Sequence, residues 1–448
     1  MIFYILAGLI GLYSVINFKR GFILFLAFKL LLVQNITLIS IPGVPLLTLD
    51  MFMSIVYSFW FFMSKNNRKT AKYSFPYMTP NIVVSFSWII SSVFSVAGIG
   101  AELSSLIGDL VNSVILLIVA WEVLETKEDF DFLFGLITLI IFGSCIYALF
   151  EYQIGANQLK IYTATLNRDP SRTIDWGYGS LTSRGYHVQS IFEHAIGAGL
   201  IWALYSVFVF TSIVKYDEKL KFKGLAIITA VLCLPAMILT KQRSCLVFYF
   251  IAALGFIKPQ KKRTYLILIP LMAGIALFST YLMDNIDIFL SIFSKKAQAS
   301  VAGSTAEMRF GQLDAAFSLF ASSPIWGLGS KFSSVIDNTF VTRLLGGESI
   351  WFSVIPGYGL LGIVAYLYLA YWMVYRIPRF FRSIELFYVA LAYWVVITLT
   401  SIPGFKLYFL YLYFIYFIKK SNKYKHNNDL RKDEWRIQRT LIFHKRVF

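Results

Sequence analysis

The side chains of this chain best suited to chemistry are cations gathered in a few turns. Arg168 and Arg172 lie in Asn167-Arg168-Asp169-Pro170-Ser171-Arg172, Arg184 stands beside Gly185, and His187 follows shortly after. Phe192-Glu193-His194 then leads into an apolar run. Further on, Thr240-Lys241-Gln242-Arg243-Ser244 packs two cations into one tight turn between two apolar runs. Arginine presents a planar fork of donors matched to phosphate oxygens, so these turns point to a phosphorylated ligand. Simpler readings stand beside that one. Arg168 and Arg172 also fit solvated loop charges, and Lys241 and Arg243 also fit side chains reaching up to lipid headgroups. Glu193 and His194 read equally as a buried pair or as catalytic groups.

A second set of polar residues lies beyond position 300. In 305–321, Phe310, Leu313, Phe317 and Phe320 recur at helical spacing, with Arg309, Gln312 and Asp314 off the stripe. This pattern predicts an amphipathic helix lying at a membrane interface. Ser322-Ser323-Pro324-Ile325-Trp326-Gly327-Leu328-Gly329 then predicts a turn. Gly346-Gly347-Glu348-Ser349 leads into a glycine-rich apolar run, and Glu348 is a candidate general base at its mouth. The alternative role for Glu348 is a carboxylate supporting a helix N-terminus. No His, Cys, Asp or Glu cluster has metal-ligand spacing, so neither a metal nor another cofactor is expected.

These residues must be positioned by membrane helices. Of 448 residues, 58% are hydrophobic and 15% are charged, against roughly 25% charged in soluble domains. Mean hydropathy is +0.67. Continuous apolar runs of about 20 residues recur, each long enough to cross a bilayer as a helix, and their lack of alternation excludes a barrel. The expected fold is all-α, a polytopic bundle of about 12–13 spans. The spans are expected near 2–17, 21–40, 45–64, 81–101, 104–124, 131–151, 191–214, 224–240, 244–257, 264–282, 350–375, 384–401 and 405–418. The first lacks the basic lead and small-residue cleavage site of a signal peptide, and is expected to be retained. Cys145, Cys233 and Cys245 fall in or beside apolar runs and read as buried thiols.

Basic clusters set an orientation. Lys19 and Arg20; Lys65, Arg68, Lys69 and Lys72; Lys215, Lys219, Lys221 and Lys223; Lys258, Lys261, Lys262 and Arg263; and Arg376, Arg379 and Arg382 fall in alternate loops. Short basic loops stay cytoplasmic, which leaves two long segments, about 152–190 and 283–349, as large external loops. The acidic loop 125–131 dissents. Residues 1–418 read as one membrane domain and 419–448 as a basic cytoplasmic tail, with ten Lys/Arg against three Asp/Glu. The net charge of +17 is thus largely topology. It suits anionic lipid headgroups, not nucleic acid.

Several of these pieces, by their order along the chain, resemble the O-antigen polymerase and O-antigen ligase superfamily. They are the Lys241-Gln242-Arg243-Ser244 turn, Arg184-Gly185 before a span, Arg309 ahead of Pro324-Ile325-Trp326-Gly327-Leu328-Gly329, and Gly357-Tyr358-Gly359-Leu360-Leu361-Gly362 in the span after Glu348. The resemblance covers about 168–376. It implies a metal-independent glycosyltransferase of the bacterial inner membrane, with its active site on the outer side. That enzyme joins repeat units carried on undecaprenyl pyrophosphate, for O-antigen or capsule. Lipid-linked oligosaccharides are the implied substrates, and a chain-length regulator is an implied partner. Ligases of the family carry histidine where this chain has Glu348, which favours a polymerase. Under this reading Glu348 is the base and Arg184, Arg243 and Arg309 stabilise the departing pyrophosphate, with Lys241 second. The rival readings are a ligase and, from another class, a transporter or flippase of lipid-linked oligosaccharides.

Overall fold

The computed structural model describes residues 2–32, 36–39, 47–64, 75–165, 186–216, 220, 222–257, 306–337, 339–344 and 349–421. The expected span at 264–282, the segment 283–305 and the tail from 422 lie outside the described residues. The regular structure described is helical, apart from a small antiparallel pair, β1 (Thr37–Ile39) and β2 (Leu47–Thr48).

The helices are α1 (Ile2–Ile16), α2 (Phe18–Phe28), α3 (Leu49–Met63), α4 (Met78–Val93), α5 (Ile99–Val123), α6 (Lys127–Ile154) and α7 (Gln158–Thr165). They continue as α8 (Ala195–Lys215), α9 (Lys223–Leu239), α10 (Arg243–Ala253), α11 (Ala306–Phe320), α12 (Thr339–Leu344), α13 (Trp351–Phe381), α14 (Ile384–Leu399) and α15 (Leu407–Lys420). Every expected span except 264–282, which lies outside the described residues, overlaps one of these helices. Among the described residues four, α5, α6, α8 and α13, are long and apolar enough to cross a membrane.

The expected span 21–40 is the clearest departure. Its helix ends at Phe28, and Lys29 follows in a turn. The reason is a charge: Lys29 is 2% exposed and donates to Asp50 Oδ1 (2.5 Å), Asn112 Oδ1 (2.8 Å) and Ser54 Oγ (3.2 Å). All three ammonium donors are thereby used. Asn112 lies midway along α5, inside a π-helical stretch, Val111–Ile115.

α8 sits at the centre, with every residue of Ala195–Phe210 buried. Between helices in lipid there is little hydrophobic drive, so close packing over small residues matters. Gly197 and Gly199 supply it: a Cβ on Gly197 would collide with the Gly404 carbonyl group, and one on Gly199 with the Cys245 thiol. Outside this core many apolar side chains stay uncovered, such as Leu12, Phe86, Phe250 and Leu367.

Two ends of the helix array gather different loops. At one end Lys19 pairs with Asp129 (2.7 Å) and Arg20 lies over the Phe132 ring. There Lys419 also donates to the Trp121 and Leu124 carbonyls, and Lys215 and Tyr216 donate to Glu385. The dissenting acidic loop is thus the counter-charge of the first basic turn. At the other end lie the turns between α4 and α5, α9 and α10, and α14 and α15.

Candidate functional site

α13 is broken near its start. Gly359 has φ 61° and ψ −154°, a conformation closed to residues with a side chain, and Pro356 lies one turn before it. Backbone groups freed by a break must be satisfied where the helix crosses lipid. The turn after α11 does this as a strand would. Leu328 N–H donates to the Pro356 carbonyl and Gly329 N–H to that of Gly357, both at 2.9 Å. In return Leu360 N–H donates to Pro324 (2.9 Å) and Leu361 N–H to Ile325 (3.1 Å). The same turn is held from α5, where the Glu102 carboxylate accepts from Ser330 Oγ (2.5 Å), the Lys331 N–H (2.8 Å) and Ser95 Oγ (2.9 Å). The two motifs in 324–329 and 357–362 are therefore one docked unit.

A second unit forms around the segment 186–194 that leads into α8. Glu151, in the last turn of α6, is fully buried and accepts from Ser190 N–H (2.6 Å), Tyr186 Oη (2.8 Å) and Gln189 N–H (3.0 Å). Lys160 of α7 is 6% exposed and donates to Gln189 Oε1 and to the Glu193 carbonyl (3.0 Å). Burial lowers the Lys160 ammonium to about 8, opposed by Glu193 and Glu151.

His187 joins this segment to the tight basic turn. Its Nδ1 lies 3.0 Å from the Thr240 carbonyl and 3.1 Å from Gln242 Nε2, while Val188 N–H donates to Leu239 (3.3 Å). Lys241 adopts φ 55°, the left-handed residue that ends α9, and Arg243 opens α10. Burial lowers the Lys241 ammonium as well. His194 caps α8 through Nδ1, which accepts from Ile196 N–H (3.2 Å). That bond requires an unprotonated nitrogen. Burial accordingly lowers the imidazole to about 4, with Lys160 and His187 adding to the effect.

The structure thus brings His187, Glu193, His194, Lys241 and Arg243 together. It adds Lys160, Glu151 and Tyr186, which sequence reasoning missed. A lone lysine and a lone glutamate flanking Gly155 were the available signal. Glu193 and His194, read either as a buried pair or as catalytic groups, stand beside Lys160, which donates to the Glu193 carbonyl, while His194 caps α8. Arg309 stands half-buried on α11, which packs against both α13 and α12. α11 forms as expected; its buried positions are Gln312, Ala315, Ala316 and Leu319, so Gln312, read as off the apolar stripe, lies on the face packed against protein, while Phe310 and Phe317 stay uncovered. Small residues let it approach α13 closely. Arg168, Arg172, Arg184 and Glu348 lie outside the described residues. Among the described residues no group of three metal-ligating side chains is placed to hold an ion.

Charged groups also stand beside the middle of a helix long enough to cross a membrane. The sequence places its unusual charges at helix ends, yet Lys29, paired with Asp50, bonds to Asn112 midway along α5, and Asp109 lies one turn away.

Comparison of the chain with protein-family models finds no match, and comparison with curated proteins finds no significant similarity.

Proposed function

We propose that this chain is a multi-pass glycosyltransferase that polymerises lipid-linked oligosaccharide repeat units at the outer face of a bacterial inner membrane. The observation that carries the reading is the gathering of Lys160, His187, His194, Lys241 and Arg243 at one end of the helix array. This end lies opposite the loops of Lys19, Lys215 and Lys419. A basic site that is partly withdrawn from water suits a lipid-borne pyrophosphate better than a fully solvated anion. About a dozen spans, the helices of less than spanning length included, complete the membrane domain.

In the reaction a hydroxyl oxygen of the acceptor sugar attacks the anomeric carbon of the donor chain. The bond from that carbon to the pyrophosphate oxygen breaks, and undecaprenyl pyrophosphate leaves with the electron pair. The hydroxyl proton passes to a base, for which Glu348 is the assigned group. Negative charge grows on the leaving pyrophosphate, where fixed cations stabilise it. Lys241 and Arg243 take this role, with Arg184 and Arg309 joining them.

The experiment is the lipid-linked glycan profile of cells lacking the protein. Polymerase loss leaves single repeat units on the acceptor, whereas ligase loss leaves long chains stranded on the carrier lipid. A second reading, a carrier of lipid-linked oligosaccharides, is favoured by one specific observation. The Lys29–Asp50 pair and the broken α13 are features of transport proteins. In cells lacking a carrier, units would accumulate on the inner leaflet, unextended.

A further inference from the structure

The second half of α13 carries two columns of stacked side chains, and both end in arginine. In one, the Tyr368 and Trp372 ring centroids lie 6.0 Å apart, and the Arg376 guanidinium stands 4.4 Å over the Trp372 ring. In the other, the Tyr371 and Tyr375 centroids lie 5.5 Å apart. The Arg379 guanidinium stands 5.3 Å over the Tyr375 ring and donates to its hydroxyl. Every step is four residues, the spacing that sets side chains one above another on a helix. The first column crosses a π-helical stretch, Trp372–Arg376. Arg382 follows with φ 50°, the left-handed residue that ends the helix.

These cations differ from the others at the same end of the helix array. Lys19 pairs with Asp129, Lys215 pairs with Glu385, and Lys419 donates to two carbonyls. Glu385 lies in the first turn of α14, close after Arg382 in sequence, yet its carboxylate is taken by Lys215 and Tyr216. Among the described residues no carboxylate pairs with Arg376, Arg379 or Arg382, and no acceptor meets the guanidinium of Arg376 or Arg382. Arg376 is half-buried, and Arg379 and Arg382 are exposed. A guanidinium lying face-on to a ring keeps its N–H edge for other partners, and that edge matches the oxygens of a phosphate. Tyr371 and Tyr375 stay uncovered by protein. Amphipathic rings of this kind sit at the membrane interface, and four residues further along a helix is about 6 Å. The headgroup layer beyond the hydrocarbon is about 5–8 Å deep on each side, so the arginines stand at the depth of lipid phosphates.

We propose that Arg376, Arg379 and Arg382 form a binding site for the phosphodiester headgroup of an anionic glycerophospholipid, with the Trp372 and Tyr375 rings holding the first two guanidinium groups in place. Three cations without a protein counter-charge select a lipid of net negative charge over a zwitterionic one, which brings a cation of its own. The uncovered tyrosines beside them offer the acyl chains an apolar surface. A lipid held there fixes this end of α13 at the membrane surface. The site is separate from the cation cluster around His187 and stands whether or not the glycosyl-transfer reading holds.

The test titrates the full-length protein in detergent with phosphatidylglycerol or phosphatidylcholine and counts bound lipids by native mass spectrometry. The unaltered protein is expected to retain phosphatidylglycerol in preference to phosphatidylcholine. Affinity should fall about fivefold for each of Arg376→Gln and Arg379→Gln, and Arg379→Lys should keep part of it. Lys223→Gln, which removes an exposed cation at the same end, should leave it unchanged. A phosphatidylglycerol with a photoreactive headgroup should label 371–382 in the unaltered protein, a readout that needs no variant to fold. Equal retention of the two lipids, or labelling confined to other segments, overturns the proposal. So do equal losses in Lys223→Gln and Arg376→Gln, which describe diffuse surface charge. Loss of the label to millimolar glycerol phosphate would describe a site for soluble phosphate and overturn it as well.

Discussion

Gly327 and Gly359 stand backbone to backbone: a Cβ built on Gly359 would lie 2.7 Å from the Gly327 nitrogen, and one on Gly327 would run into the Gly357 carbonyl. Neither glycine has room for a side chain, and both have positive φ. Gly359→Ala and Gly327→Ala should each destabilise the protein by about 1–3 kcal/mol from backbone strain alone, more where the turn is expelled. Gly143→Ala, on an open face of α6, should instead be neutral or stabilising by up to ~1 kcal/mol. Thermal unfolding in detergent separates the two outcomes, and equal midpoints would remove the docked turn from the account.

The Lys29–Asp50 pair predicts an asymmetric result. Asp50→Ala leaves an ammonium group buried and short of its counter-charge, and should cost about 3–5 kcal/mol. The double change Lys29→Met with Asp50→Leu removes both charges and should recover most of that loss. A double variant no more stable than Asp50→Ala would mean the pair is not closed as described.

His194 should make its end of the helix array acid-sensitive. Its pKa falls from 6.5 to about 4 in the folded protein, so the unfolded chain binds more protons between those values. Stability is therefore fully present above pH 6.5 and is lost as pH falls toward 4, by at most ~3 kcal/mol. His194→Asn retains a capping acceptor without the titration. Its unfolding midpoint should flatten across that window, whereas an unchanged slope would assign the acid sensitivity elsewhere.

Arg243 and Glu348 carry the transfer reading. Arg243→Ala and Arg309→Ala should each sharply reduce polymer at normal protein abundance, and Arg→Lys should restore only part, because the bidentate fork is lost. Glu348→Gln should lower activity by about 10²–10⁴-fold if the carboxylate is the base, leaving single units in place of long chains. Normal chain lengths in a well-expressed Glu348→Gln protein would retire that role.

Orientation is open to direct measurement. Reporter fusions after Asn66, Lys219 and Arg379 should read as cytoplasmic, and those near Asp175 and Ser330 as external. Fusions at Asp175 and Lys219 that report the same compartment would separate the two parts of the proposed site.

The helices were legible because apolar runs of spanning length admit few other structures. Pro356 and Gly359 stand where α13 gives way, yet 350–375 reads in the sequence as one unbroken span. What fills that break was not legible, since the pairing of Leu328 with Pro356 joins segments whose partnership no local pattern records. Lys29 was hidden for another reason: one charge in an apolar run leaves the hydropathy of a span intact, though it ends the helix. Phe310 and Phe317 stand on the stripe read as facing a membrane interface and are uncovered by protein. The face that packs against protein was not legible from them; the alanines between them mark it, since close helix approach selects small residues. The turn of Lys241 and Arg243 could be read as unusual, but not as the partner of His187, and Lys160 gave no signal beyond its charge.

The last helix also fastens the second. Tyr408 Oη donates to the Leu26 carbonyl (3.1 Å), which the short α2 leaves open at its C-terminal end, and Lys406 Nζ to that of Leu32 (2.8 Å), in the segment that follows the helix. Those donors leave the ribosome some 380 residues after α2 does, at a synthesis rate of about 5–20 residues per second. During that interval the nascent N-terminal hairpin must wait with unmet carbonyls in or beside the bilayer. A product truncated before residue 406 never closes it. The chain therefore has its own length check, and membrane proteases should clear such fragments faster than proteins truncated within the tail beyond Ser421.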